Sequence, residues 1–213
     1  MKFKDLLDVK KVLDQHKVPF FLAYGTCLGA YRDKDFLPDD KDIDLVIIKP
    51  IDLKTRKDIG WALFNLGFNP VGLFFNVFGR MEQAEARYNG TEKTGIIICE
   101  RNIEFSIFFF YKEMCDRHGE EYVCIPKLGA VKLMAIPTRF YKKPQTIKFH
   151  KTKFLIPNPI KEYLSFIYFN NWKDKTDRRH AQTYYEMHPE HTDDLKNVMD
   201  KDKVFYPIKK EKK

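Results

Sequence analysis

A pair of carboxylates set one residue apart at the mouth of an apolar run constrains this chain more than any other feature. Asp42 and Asp44 flank Ile43 and lead into Leu45-Val46-Ile47-Ile48. Residues at i and i+2 of a strand share a face. The two aspartates therefore project together, while Ile43, Leu45 and Ile47 turn toward a core. Close carboxylates repel, and each disfavours ionisation of the other. A hard divalent cation between them, Mg²⁺ or Mn²⁺, removes that conflict, and a phosphate completes its coordination. About sixteen residues earlier, the pair Gly25-Thr26 closes another apolar run, PFFLAY. A polar loop entering a strand also produces a lone Asp-x-Asp; the Gly-Thr pair and the strand context favour the metal site.

The 213 residues read as one domain over residues 1–175 followed by a polar, basic tail over residues 176–213. A chain of this size buries about 70% of its unfolded surface, and aromatic side chains, 15% of the total, supply the core. No apolar run approaches the roughly 20 residues needed to span a bilayer. The N-terminal segment MKFKDLLDVKKVLDQ is charged throughout, unlike a signal peptide. These features predict a cytoplasmic protein, with Cys27, Cys99, Cys115 and Cys124 as reduced thiols. The net charge of +8 is concentrated at Lys10-Lys11, Lys142-Lys143, the stretch from Lys148 to Lys153 and the terminal KKEKK. Terminal lysine runs are usually solvated, and the charge suits nucleotides, phosphorylated glycans and nucleic acid alike, so it selects none of them.

Helical periodicity over residues 3–16 puts Phe3, Leu6, Leu7, Val12 and Leu13 on one stripe. PFFLAY predicts a buried strand, Cys27 to Arg32 a short helix, and DKDFLPDDKD a loop punctuated by Pro38. After the Asp42 strand, Asp52 is placed to cap a helix that runs through Leu66 and stops at Gly67. Residues 70–78 predict a strand, and Gly95–Cys99 with Ile103–Tyr111 a hairpin. A second turn at DRHGEE leads to YVCIP, and Ile160, Tyr163, Leu164 and Ile167 restore helical spacing. Polarity rises past residue 175, which predicts a loosely attached helix and a disordered end.

A third carboxylate on a neighbouring strand would complete a phosphoryl-transfer site. Glu104, isolated in RNIEFSIFFF, is the candidate; pairing with Arg101 or a lysine is the structural alternative. Cys115-x-x-His118 with Cys124 has a partial zinc spacing and no obvious fourth ligand, and His188 and His191 sit in the polar tail.

Together these residues resemble the LicD/fukutin-related family of phosphoalcohol transferases, which has the nucleotidyltransferase (polymerase-β-like) fold. The segment Gly25-Thr26-Cys27-Leu28-Gly29-Ala30-Tyr31-Arg32 is similar to the family's G-T-x-L-G-A-x-R. Leu37-Pro38-Asp39-Asp40-Lys41-Asp42-Ile43-Asp44 is similar to its I-P-W-D-D-D-I-D, and Ile103-Glu104-Phe105 to its later acidic strand. Pro157, Tyr163-Leu164, Tyr168 and Trp172 follow its C-terminal signature. Asp39 stands for the tryptophan, Lys41 for an acidic residue, Glu104 for the more usual aspartate, and Phe169 for a glycine.

The resemblance implies an α/β (α+β) domain, a mixed β-sheet flanked by helices. It implies Asp42, Asp44 and Glu104 as metal-binding and catalytic carboxylates, with Glu104 either a ligand or the general base. Gly25, Thr26 and Arg32 would bind the donor. Gly25 would allow close approach of phosphates, Thr26 would donate to a phosphate oxygen or simply cap a helix, and Arg32 would neutralise the diphosphate or pair with an aspartate of the acidic loop. Trp172 would stack on a base or sugar ring, or more simply bury itself against the C-terminal helix. The implied reaction moves a phosphoalcohol, phosphocholine or a sugar-alcohol phosphate, from a CDP-activated donor to a glycan hydroxyl. Transfer of a nucleoside monophosphate from an NTP to a small molecule, protein or RNA is the alternative, and a catalytically inactive binding module is the third reading.

Overall fold

The computed structural model describes residues 2–38, 40–70, 95–100, 104–109, 112–115, 119–125, 134–175 and 206–207. The chain divides into two compact units, Met1–Phe110 with Thr146–Ile156, and Tyr111–Gln145 with Pro157–Lys213. The boundary expected at residue 175 falls inside the second unit.

The first unit opens with helix α1 (Lys2–Gln15), whose Leu6, Val9, Val12 and Leu13 are buried. Strand β1 (Phe21–Leu22) leads into α2 (Tyr24–Leu28), which continues as a π-helical turn over Gly29–Asp33. Strand β2 (Asp42–Ile47) precedes α3 (Leu53–Asn65). The cap on α3 is the expected one. Asp52 Oδ1 accepts from the Thr55 N–H at 2.8 Å, and the Thr55 hydroxyl donates to Asp52 Oδ2. Its far end closes with Gly67 at φ 83° and with Phe68 N–H donating to the Leu63 carbonyl, a left-handed cap that glycine tolerates.

Strands β3 (Asn69–Pro70), β4 (Gly95–Glu100) and β5 (Glu104–Phe109) follow. Of the strand expected over residues 70–78, only the first residue lies inside the described set. The hairpin expected between residues 95 and 111 is present, with Gly95 opposite Phe109 and Glu100 opposite Glu104.

In the second unit β6 (Lys112–Cys115) and β7 (Glu121–Ile125) form an antiparallel pair, extended by β8 (Met134–Pro137). The short helix α4 (Arg139–Lys142) comes next in the chain. The chain then returns to the first unit through β9 (Gln145–Phe149) and β10 (Thr152–Ile156), joined by a two-residue turn. His150 and Lys151 in that turn both have positive φ, 48° and 88°, the backbone twist that suits a tight hairpin.

Helix α5 (Ile160–Tyr168) and a 3₁₀ turn (Phe169–Lys173) belong to the second unit. So does β11 (Tyr206–Pro207), which pairs with β6. The segment expected to be a disordered end thus contributes a strand.

Among the described residues, the first unit's sheet has the order β3-β4-β5-β2-β1-β10-β9. Strand β2 runs parallel to β5 and antiparallel to β1, and β1 runs parallel to β10, so the sheet is mixed. This is the α/β architecture, a mixed sheet flanked by helices, that the sequence led us to expect. The second unit's core is aromatic. Phe140 and Tyr163 meet edge to face, and Trp172 is buried with its indole N–H donating to Ser165 Oγ at 3.0 Å. Trp172 therefore takes the packing role.

Candidate functional site

Strand β2 alternates at its start: Asp42 and Asp44 are half-buried, while Ile43 and Leu45 have no exposed surface. The i, i+2 spacing does bring the aspartates to one face. Past Leu45 the alternation ends, because Val46 and Ile47 are both fully buried. Parallel pairing sets Asp42 against Glu104 and Asp44 against Ser106 on the neighbouring central strand. The register thus brings position 104 beside the aspartate pair.

The turn after β1 is tied to the same strand by two bonds. Ala23 N–H donates to the Asp44 carbonyl at 3.1 Å, and Asp44 N–H donates to the Thr26 hydroxyl oxygen at 3.0 Å. Thr26 has no exposed surface. Its hydroxyl is turned to the β2 backbone, where it fixes the aspartate that the sequence paired with it. Tyr24, buried at the head of α2, has φ 40°, a strained conformation for a bulky residue.

The two glycines of this turn have separate reasons. A Cβ on Gly25 would run into the Asp40 carboxylate. A Cβ on Gly29 would lie 2.6 Å from the Asp35 carbonyl oxygen and 3.0 Å from the Leu37 nitrogen, so the acidic loop packs directly on its backbone. That loop is held on its other side by aromatic rings. Phe36 meets Phe149 edge to face at 4.9 Å, and His150 Nε2 lies 2.9 Å from Asp35 Oδ1.

Asp40 is the site residue that sequence reasoning passed over. Burial, and then a hydrogen bond to the Asp42 carboxylate, push its carboxyl up to about 7. Its Oδ2 is buried and has no hydrogen-bond partner among the described residues. The sequence signal was present in the acidic run of residues 39–44, but only the loop's return over Gly25 selects Asp40 from it.

Lys2 is a second omission. Its Nζ donates to the Asp40 main-chain carbonyl at 2.9 Å and lies 4.8 Å from the Phe36 ring centre. Burial lowers its pKa, against the opposing pull of Asp40, Asp42, Asp44 and Asp35. No sequence pattern links position 2 to position 40.

Arg32 forks onto its neighbour Asp33, with Nη2 donating to Oδ2 at 2.8 Å and Nε to the same oxygen at 3.1 Å. The partner in this fork is the adjacent Asp33, at the end of the π-helical turn, and not an aspartate of the Leu37–Asp44 loop. The partial zinc spacing lies partly outside the described residues, because His118 does.

Hard oxygen donors on one face, with a buried carboxylate oxygen beside them that lacks a partner among the described residues, fit a hard divalent cation. Among the described residues, no three His, Cys, Asp or Glu side chains close into a metal cage. The described pair is Asp42 and Asp44, with Glu104 placed by backbone register.

A mixed sheet whose central strand opens on paired aspartates, braced by a Gly-Thr turn, defines a nucleotidyltransferase-type domain. The chain belongs to the LicD/FKTN/FKRP family: residues 17–159 match its nucleotidyltransferase domain. It is 36% identical to the ribitol-5-phosphate transferase FKTN of Macaca fascicularis and 35% identical to that of Homo sapiens. Each match extends over 113 residues, 52% of this chain and 21% of the relative. The matched part is therefore about a fifth of the length of those relatives. The lincosamide antibiotic adenylyltransferase LnuA, solved with lincomycin bound, is similar at a TM-score of 0.49 and 12% identity, over 81% of this chain and 97% of that one.

Proposed function

We propose that this chain is a divalent-metal-dependent transferase that moves a phosphoalcohol from a CDP-activated donor to a glycan hydroxyl. The observation that carries the reading is the half-buried pair Asp42 and Asp44, facing one way from a strand whose other residues form the core. Family membership and the ribitol-5-phosphate transferase named in the relatives support the phosphoalcohol.

Asp42 and Asp44 would hold Mg²⁺ or Mn²⁺, with Glu104 as the third carboxylate. When bound, the cation neutralises charge on the transferred phosphoryl group and on the departing nucleotide. Thr26 acts from behind by fixing the Asp44 backbone, a positioning role beside the phosphate contact expected of it. Arg32, held in a fork by Asp33, supplies a planar cation for the donor diphosphate. Glu104 takes the proton of the acceptor hydroxyl if it is not itself a ligand.

The test is a product assay by mass spectrometry, in which the chain is incubated with Mg²⁺, a panel of CDP-alcohols and NTPs, and glycan and RNA acceptors. CMP release with a matching mass gain on glycan supports the proposal. Pyrophosphate release with a nucleotide added to an acceptor replaces it with nucleotidyl transfer. No product from any donor, together with no metal-dependent nucleotide binding, replaces it with the binding module.

A further inference from the structure

Helix α1 carries two lysines in its first turn with different surroundings. Lys4 is exposed and makes an ordinary i, i+4 pair with Asp8 at 3.1 Å. Lys2 instead reaches across to the acidic loop, thirty-eight residues away, and donates to the main-chain carbonyl of Asp40. The Phe36 ring lies against its ammonium, and the carboxylates of Asp40, Asp42, Asp44 and Asp35 are all within electrostatic reach.

A neutral carbonyl is an unusual main acceptor for an ammonium placed among four carboxylates. An ammonium has three donors, and among the described residues the Asp40 carbonyl takes one of them. The Asp40 contact fixes the position of the charge without neutralising it in a tight ion pair. An acidic cluster repels phosphates, and the charge that a divalent cation adds is shared among several carboxylates. A fixed ammonium at the rim offsets the remaining repulsion.

We propose that Lys2 is a donor-binding residue: it brings a fixed positive charge to the acidic cluster, where it contacts the donor's phosphates. The inference rests on the reaction proposed above and extends it to a residue outside the span that matches the family.

The experiment titrates CDP by calorimetry in saturating Mn²⁺, and separately titrates Mn²⁺ alone by electron paramagnetic resonance. The proteins are wild type, Lys2→Arg, Lys2→Gln and Lys4→Met. Lys2→Gln keeps a donor for the Asp40 carbonyl and removes the charge. It is expected to weaken CDP binding about tenfold and to bind Mn²⁺ at least as tightly as wild type, because loss of a nearby positive charge favours a cation. Lys2→Arg is expected to keep most of the CDP affinity, and Lys4→Met all of it.

Equal CDP affinity in wild type and Lys2→Gln overturns the inference and leaves the proposed reaction standing. Parallel weakening of Mn²⁺ and CDP in Lys2→Gln also overturns it, since that marks a residue that only props up the loop. A wild-type protein that binds neither Mn²⁺ nor CDP overturns the proposed reaction and the inference together.

Discussion

The two halves of strand β2 face different tasks. Its first three residues alternate between half-buried carboxylate and buried isoleucine, while Leu45, Val46 and Ile47 are buried without alternation. The apolar half needs nothing from outside the chain, because β1 and β5 cover it on both edges. The acidic half is built against its own electrostatics. Asp40 and Asp42 share a hydrogen bond that requires a proton, Thr26 and Ala23 brace the Asp44 backbone, and Gly25 gives up a side chain to admit Asp40. A chain that gained only stability from this strand would do better with apolar residues throughout. On the proposed function, one half of the strand serves folding and the other serves chemistry.

The sharpest way to break this division is at adjacent positions. Leu45→Ala is expected to cost about 2–5 kcal/mol, the usual range for truncating a fully buried leucine, read as a shift in urea midpoint. A loss below that range would mean the apolar half is not the anchor. Thr26→Val leaves the Asp44 N–H buried without its acceptor and is expected to cost about 1–3 kcal/mol, with a fall in turnover that Thr26→Ser restores.

The glycines divide in the same way. Gly29→Ala presses on loop backbone and is expected to destabilise by about 1–3 kcal/mol. Gly25→Ala meets the end of an aspartate side chain that can rotate away. It is expected to melt closer to wild type and yet lose more activity, and the reverse order in paired melting and turnover measurements would contradict the division.

The acidic half also carries a pH dependence. The Asp40 carboxyl holds its proton more tightly in the folded chain than in the unfolded one, so between about pH 4 and 7 the native state binds more protons. The stability of the metal-free protein from this group is greatest below that window and is lost as pH rises through it. Asp40→Asn is expected to flatten the slope in a pH series of thermal melts.

Legibility in the sequence followed the distance over which each feature is encoded. The aspartate pair, the Asp52 cap, the Gly67 stop and the 95–109 hairpin depend on residues a few positions apart, and all were readable from spacing. Family motifs then supplied the mixed sheet. Features made by chain return were not readable. Lys2 reaches Asp40 across a helix and a loop, Asp40 is chosen by its approach to Gly25, and the Thr26 hydroxyl is claimed by Asp44. The departure of the chain to a second unit at residue 111, and its return over residues 146–156 to place β10 beside β1, has no local signature either.

The most direct test of the central claim is to measure CMP release from the proposed CDP-alcohol donors and the melting temperature side by side for wild type and Asp44→Asn. The account predicts a fall in release of more than about a hundredfold, with a melting temperature within about 2 °C of wild type. Release at the wild-type rate would contradict the assignment of the carboxylate pair. A large drop in melting temperature would show that Asp44 belongs to the folding half of the strand after all.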